Sequence, residues 1–226
     1  MNPQRTKARK AVAKARQQGI STNLKITIGM VVAAVVVLAT ALVIGRAGDG
    51  TPVPAAARDD SHRISTAADG RVTVVEFLDF ECAACGAAYP GVERLRADYG
   101  NSITYVVRYF PIASHPNAYT SAHAAEAAAR QGAFEPMYRK LFDNQRAWGG
   151  QRQDRTETFI GYARELGLDS EKFRADMADP AVDARVRAEA DDGVRLGVQG
   201  TPTFFVNGVE YEPDALKQAI DQALSR

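Results

Sequence analysis

Cysteine is scarce in this chain of 226 residues: there are two, Cys82 and Cys85, with two residues between them. A pair so placed cannot hold together a multi-disulfide scaffold, so an apolar core must carry the fold and the cysteines are left for another task. Histidine is scarce as well. There are three, no second cysteine pair accompanies them, and His115 and His123 stand eight apart, outside zinc-finger spacing. Carboxylates are missing from residues 1–45, which hold seven cations (Arg5, Lys7, Arg9, Lys10, Lys14, Arg16 and Lys25), leaving 21 cations against all 27 acids from Arg46 onward. The net charge of +1 thus conceals +7 beside −6, an asymmetry expected of a chain whose parts work in different places. Nothing in the pattern suggests nucleic-acid binding. What is present in quantity, 46% hydrophobic residues, excludes a disordered tail or a collagen-like fibre.

Residues 26–45 carry no charge and as a helix would span roughly 30 Å, the thickness of a bilayer core. Val31 to Leu38 is apolar all round, unlike the striped face of a soluble helix. A transmembrane helix over 26–45 is the expectation, and a buried soluble helix or a cleavable signal peptide are the competing readings. The basic segment 1–25 then lies in the cytoplasm by the positive-inside rule, the lipid bilayer holds the apolar segment, and the remainder faces outward. Residues 46–62, rich in Gly, Pro, Ala and Asp, read as a flexible tether.

Over 63–226 the pattern is that of an α/β domain. Arg71 to Phe80 is β-rich with apolar residues on both parities, as in a central strand covered on both faces. A helix to about Tyr99 follows, with a kink expected at Pro90 and Gly91, and then a strand over Ile103 to Phe110. Five helical runs lie between Ala118 and Leu196, separated by Gly, Pro or Asp breakers. Thr203 to Val206 and Val209 to Tyr211 flank an Asn207-Gly208 hairpin signal. A last amphipathic helix covers Pro213 to Leu224.

Cys82-Ala83-Ala84-Cys85 falls where the buried strand gives way to a helix. Free backbone N–H groups and the helix dipole favour an anion there, which shifts a thiol toward the reactive thiolate. Cys82 is therefore the expected nucleophile and Cys85 the partner that closes or opens the ring. Half of a zinc site and an inert structural disulfide are the competing readings. The latter would contribute little stability, because the loop it closes is so small.

The order strand, Cys-x-x-Cys, helix, helical insertion, then Gly200-Thr201-Pro202-Thr203 opening a strand and hairpin resembles the DsbA-like branch of the thioredoxin superfamily. The segments Val75 to Cys82, Phe110-Pro111-Ile112 and His115-Pro116-Asn117-Ala118 are also similar to its membrane-anchored members. The resemblance implies a thioredoxin-like α/β fold with a helical insertion over about 115–196, preceded here by one N-terminal transmembrane helix. It implies a cis peptide at Thr201-Pro202, with Thr201 presenting backbone groups to an extended substrate; an ordinary trans proline is the alternative. It also places Glu76 as a buried carboxyl that exchanges a proton with Cys85, against a solvated glutamate at a strand end. Asp79 and Glu81 either oppose the thiolate or are exposed surface charges; His115 and His123 read as surface or insert-packing residues rather than catalytic bases, and Trp148 as a loop anchor on the helical block rather than a substrate contact.

The activity so implied is extracytoplasmic thiol:disulfide exchange, in the oxidase direction, on unfolded secreted or cell-envelope proteins with free thiols. No cofactor or metal is needed, and the implied partner is a membrane reoxidant, DsbB-like or a vitamin K epoxide reductase homologue. The Ala83-Ala84 dipeptide departs from the histidine or proline of strongly oxidising relatives. That departure leaves the direction open to a reductase or isomerase; a non-catalytic chaperone or scaffold with a structural disulfide is the alternative from a different class.

Overall fold

The computed structural model describes residues 55–226. The basic segment 1–25, the apolar segment 26–45 and residues 46–54 of the expected tether lie outside the described residues. Among the described residues no helix is long and apolar enough to cross a membrane.

Five strands form one sheet in the order β1-β3-β2-β4-β5. They are β1 (His62–Ser65), β2 (Thr73–Leu78), β3 (Thr104–Tyr109), β4 (Thr203–Val206) and β5 (Val209–Tyr211). The central pair β2 and β3 is parallel, and β1, β4 and β5 join antiparallel. Register decides what each strand residue faces, because side chains alternate. Val74 stands opposite Tyr105, Glu76 opposite Val107 and Leu78 opposite Tyr109. These alternate positions, Glu76 apart, belong to the larger apolar core, whereas Val75, Phe77 and Val106 join Phe205 and Val198 in a smaller core on the other face. A strand apolar on both parities is thus covered on both sides, as its sequence predicts.

The helix α1 (Ala83–Tyr99) follows β2 and runs as a single element through Pro90. Pro90 and Gly91 are exposed, so the hydrogen bond that proline removes lies on the solvent side, where the sequence reading placed a kink. The insertion between β3 and β4 comprises α2 (Ala118–Ala129), α3 (Phe134–Asp143), α4 (Gln145–Trp148), α5 (Thr156–Glu165), α6 (Ser170–Met177) and α7 (Pro180–Leu196). The alanines of α2 are buried on nearly every side, and their small side chains let α3, α5, α6 and α7 all pack against it. Trp148 is fully buried, donates from Nε1 to the Leu141 carbonyl at 3.1 Å and meets Phe159 edge-on. A single 3₁₀ turn, Pro213–Ala215, leads into α8 (Leu216–Leu224), so the last α-helix begins later than expected.

One correction concerns the tether. Residues 55–62 pack on the domain: Ala56 is buried in the smaller core, Arg108 donates to the Ala56 carbonyl at 2.7 Å, and β1 starts at His62. The stretch looks irregular in sequence because Arg108 and Asp192, far along the chain, anchor it through polar contacts. A four-residue edge strand with little alternation leaves almost no periodic trace.

Candidate active site

Both cysteines are buried and unbonded thiols in this structure. Cys82 occupies the N-cap of α1 in an extended conformation (φ −65°, ψ 122°) and Cys85 lies within the first turn, fully buried. That the chain turns here follows from Asp79: its carbonyl accepts from Cys82 N at 3.1 Å and its Oδ1 accepts from Glu81 N at 2.8 Å.

The two thiols differ sharply in proton affinity. A hydrogen bond from Cys85 pulls Cys82 down to about 5 against the opposing effect of burial, and the Thr201 hydroxyl and the backbone N–H groups of Cys85 and Ala84 assist. Burial pushes Cys85 well above the ordinary thiol range, and the contact with Cys82 and the charge of Glu76 push the same way. Their shared proton therefore stays on Cys85 and leaves Cys82 as the thiolate, the reactive species.

Glu76 sits behind the pair on β2, 2% exposed. Burial raises its carboxyl to about 7, opposed by a 2.8 Å hydrogen bond from the Tyr105 hydroxyl. A group poised near neutrality in that position can take or return the proton of Cys85.

Thr201 and Pro202 are joined by a cis peptide and face the N-terminus of α1. The Cys82 thiol donates to the Thr201 carbonyl at 3.4 Å. The Thr201 hydroxyl is buried without another partner among the described residues, so it remains a donor for the thiolate.

Asp79 and Glu81 are not surface charges. Asp79 is 2% exposed and its Oδ2 accepts from Ile112 N at 3.0 Å and contacts His115 Nδ1 at 2.6 Å. Glu81 accepts from Asn117 N and Gly150 N. Both serve to bolt the insertion onto the cysteine turn. Gln145 does the same from α4, its Nε2 donating to the carbonyls of Phe80 and Cys82 at 2.8 Å each. No local sequence signal marks Gln145 or Tyr105, because only register and the packing of the insertion bring them to the site.

Two thiols of opposed proton affinity at a helix N-terminus, with a buried carboxyl of raised proton affinity behind them on the central strand of an α/β sheet, are equipped to make and break disulfides; such a protein is a thiol:disulfide oxidoreductase. A family model described as thioredoxin matches residues 62–222, and the chain belongs to that family. A solved thioredoxin-like oxidoreductase from Silicibacter pomeroyi DSS-3 is 31% identical, with a TM-score of 0.61 over 75% of this chain and 95% of its own. BdbD from Bacillus subtilis, in its oxidised form, is 21% identical with a TM-score of 0.60 over 71% of this chain and 91% of its own, and shares the fold. DsbA from Xylella fastidiosa, 19% identical with a TM-score of 0.58 over 70% of this chain and 86% of its own, shares it too.

Among curated proteins, the Na(+)/H(+) antiporter NhaA of Herminiimonas arsenicoxydans is 45% identical over 140 residues, which is 62% of this chain and 21% of the antiporter. Na(+)/H(+) antiporter NhaA 3 of Salinispora tropica is 42% identical over 159 residues, 68% of this chain and 23% of its own. The matches thus span about a fifth of the length of these relatives.

Proposed function

We propose that this chain is a membrane-anchored, extracytoplasmic dithiol oxidase that introduces disulfides into secreted or cell-envelope proteins. The observation that carries the direction is the depressed proton affinity of Cys82. A reduced form stabilised as thiolate makes the corresponding disulfide the stronger oxidant, which is the reason given for the high potential of DsbA-type pairs. In that direction a substrate thiolate attacks Cys82 Sγ, the Cys82–Cys85 bond breaks, and Cys85 leaves with the proton of Glu76. The substrate's second thiolate then attacks its own sulfur in the mixed disulfide, releasing the substrate disulfide and the Cys82 thiolate. Two electrons have passed from substrate to enzyme, and a membrane oxidant, DsbB-like or a vitamin K epoxide reductase homologue, removes them.

The outward location rests on the uncharged segment 26–45 behind seven cations. That related stretches stand inside chains named as Na(+)/H(+) antiporters supports a membrane setting.

The reduction potential of the Cys82–Cys85 pair, read beside its redox state in cells, tests the direction. A potential well above the roughly −270 mV of thioredoxin and a disulfide in cells are expected. A potential at or below that value with a dithiol in cells overturns the oxidase reading in favour of a reductase. For topology, protease added to whole cells is expected to remove the C-terminal domain, and protection of that domain would refute the orientation.

A further inference from the structure

We propose that Tyr105 is a positioning residue for the exchange: its hydroxyl holds the Glu76 carboxyl as the group that takes and returns the Cys85 proton. The inference rests on the role given to Glu76 above and adds the residue that makes the role possible.

The pairing of β2 with β3 puts Val74 opposite Tyr105, so Tyr105 projects on the same face as Glu76, one position along. Both are buried, and the Tyr105 hydroxyl donates to Glu76 Oε2 at 2.8 Å, the sole hydrogen bond to that carboxylate among the described residues. The other groups facing Glu76 are Glu93, Arg96 and Cys85 on α1 and Tyr138 on α3. Arg96, the cation of this set, is committed elsewhere: it bonds Glu93 at 2.6 Å, Glu135 at 2.7 Å and the Ile64 carbonyl. No ion pair among the described residues engages Glu76, so a neutral phenol does the work that a cation would otherwise do. Burial and the charge of Glu76 keep the Tyr105 proton in place, so it remains a donor across the working range. A hydrogen bond to a charged acceptor buried away from water stabilises the ionised form, which keeps the carboxyl titrating near neutrality rather than higher.

Reaction of the reduced full-length protein with Ellman's reagent separates the steps. The Cys82 thiolate attacks the reagent, releases one thionitrobenzoate and leaves a mixed disulfide. Cys85 then gives its proton to the Glu76 carboxylate and attacks Cys82 Sγ, the mixed disulfide breaks, and a second thionitrobenzoate leaves as thiolate. The second phase is unimolecular and free of any external thiol, and its rate is expected to rise with pH through a midpoint near that of Glu76.

In Tyr105→Phe the midpoint of the second phase is expected to move up by about one to two pH units, with the first phase unchanged. A second-phase profile that superimposes on the wild type in a folded variant overturns the proposal. Should Tyr105→Phe not fold, 3-fluorotyrosine placed at position 105 is a stronger donor of the same shape, and the midpoint is expected to move down; an unmoved midpoint overturns the proposal equally. Glu76→Gln is expected to abolish the titration of the second phase. If that titration survives in Glu76→Gln, the reading of Glu76 itself falls. If it vanishes there while Tyr105→Phe matches the wild type, only the role of Tyr105 falls.

Discussion

Cys82 Sγ donates to the carbonyl oxygen of Thr201 at 3.4 Å, across 119 positions of sequence. The thiol that Cys85 and the first-turn N–H groups activate is thereby seated against the cis Thr201-Pro202 peptide. Ionisation removes that donated proton and leaves the Cys85 thiol, the Thr201 hydroxyl and the first-turn N–H groups as the thiolate's donors. Iodoacetamide modification of the reduced protein is accordingly expected to titrate with a midpoint about 5. Modification that begins only near the ordinary thiol value of ~8.5 would contradict the activation.

The same depression has a consequence for stability. The unfolded chain keeps the Cys82 proton up to ~8.5, whereas the folded, reduced protein releases it at about 5. Stabilisation from the thiolate is complete above the unfolded value and is lost as pH falls through the folded one. The difference in Tm between reduced and oxidised protein is therefore expected to grow in favour of the reduced form from about pH 5 to pH 8.5. A pH-independent difference by calorimetry would refute this.

Glu76 acts with the opposite sign. Its carboxyl is held protonated to about 7 by burial, whereas an unfolded glutamate ionises near ~4.3, so its contribution falls as pH rises across that window. Glu76→Gln is expected to raise stability at pH 8 by about 2–4 kcal/mol and to have little effect at pH 4, read from denaturant midpoints. The same variant is expected to slow resolution by Cys85, an exchange of activity for stability at one position.

Gly86 and Gln145 form a coupled pair. A Cβ at Gly86 would stand 1.9 Å from Gln145 Oε1, so Gly86→Ala displaces the amide that holds the Phe80 and Cys82 carbonyls. Gly86→Ala and Gln145→Ala are each expected to destabilise by about 1–2 kcal/mol. In the Gln145→Ala background the steric conflict is gone, and Gly86→Ala should instead stabilise by about 0.5–1 kcal/mol, the ordinary gain of alanine inside a helix. Additive effects in the double-mutant cycle would show that the two positions do not interact.

Arg108 is completely buried, bonding Asp192 at 2.7 Å and the Ala56 carbonyl at 2.7 Å. Asp192→Asn removes the closer of that cation's two counter-charges, leaving Glu189 at 3.5 Å, and is expected to destabilise by about 1.5–3 kcal/mol. Arg58→Ala removes a partner of Asp192 that is 40% exposed and should cost less than about 1 kcal/mol. Chemical denaturation of the two variants distinguishes them, and equal losses would contradict the burial argument.

Legibility in the sequence followed the range of the interaction. The strand before Cys82 was readable because its neighbours are apolar on both parities, and the helices of the insertion because breakers separate them. Asp79 and Glu81 were not readable as buried acceptors. Their partners, Ile112, His115, Asn117 and Gly150, lie more than thirty positions away, and a carboxylate beside a reactive thiol looks the same in sequence whether it faces water or backbone N–H groups. The edge strand His62–Ser65 escaped for the related reason that pairing with β3, not its own periodicity, defines it.

By itself the sequence determined the chemistry on offer: two thiols separated by two residues at a strand-to-helix junction, a Thr-Pro motif at the start of a later strand, and a charge division around an apolar segment. These are local matters of spacing and periodicity. Tertiary structure alone decided how far apart the proton affinities of the two thiols lie, that Asp79 and Glu81 are buried acceptors, and that Tyr105 is the partner of Glu76. Proton affinity depends on burial and on donors brought from other strands and helices, and those distances exist only once the sheet has its register and the insertion is bolted to the cysteine turn.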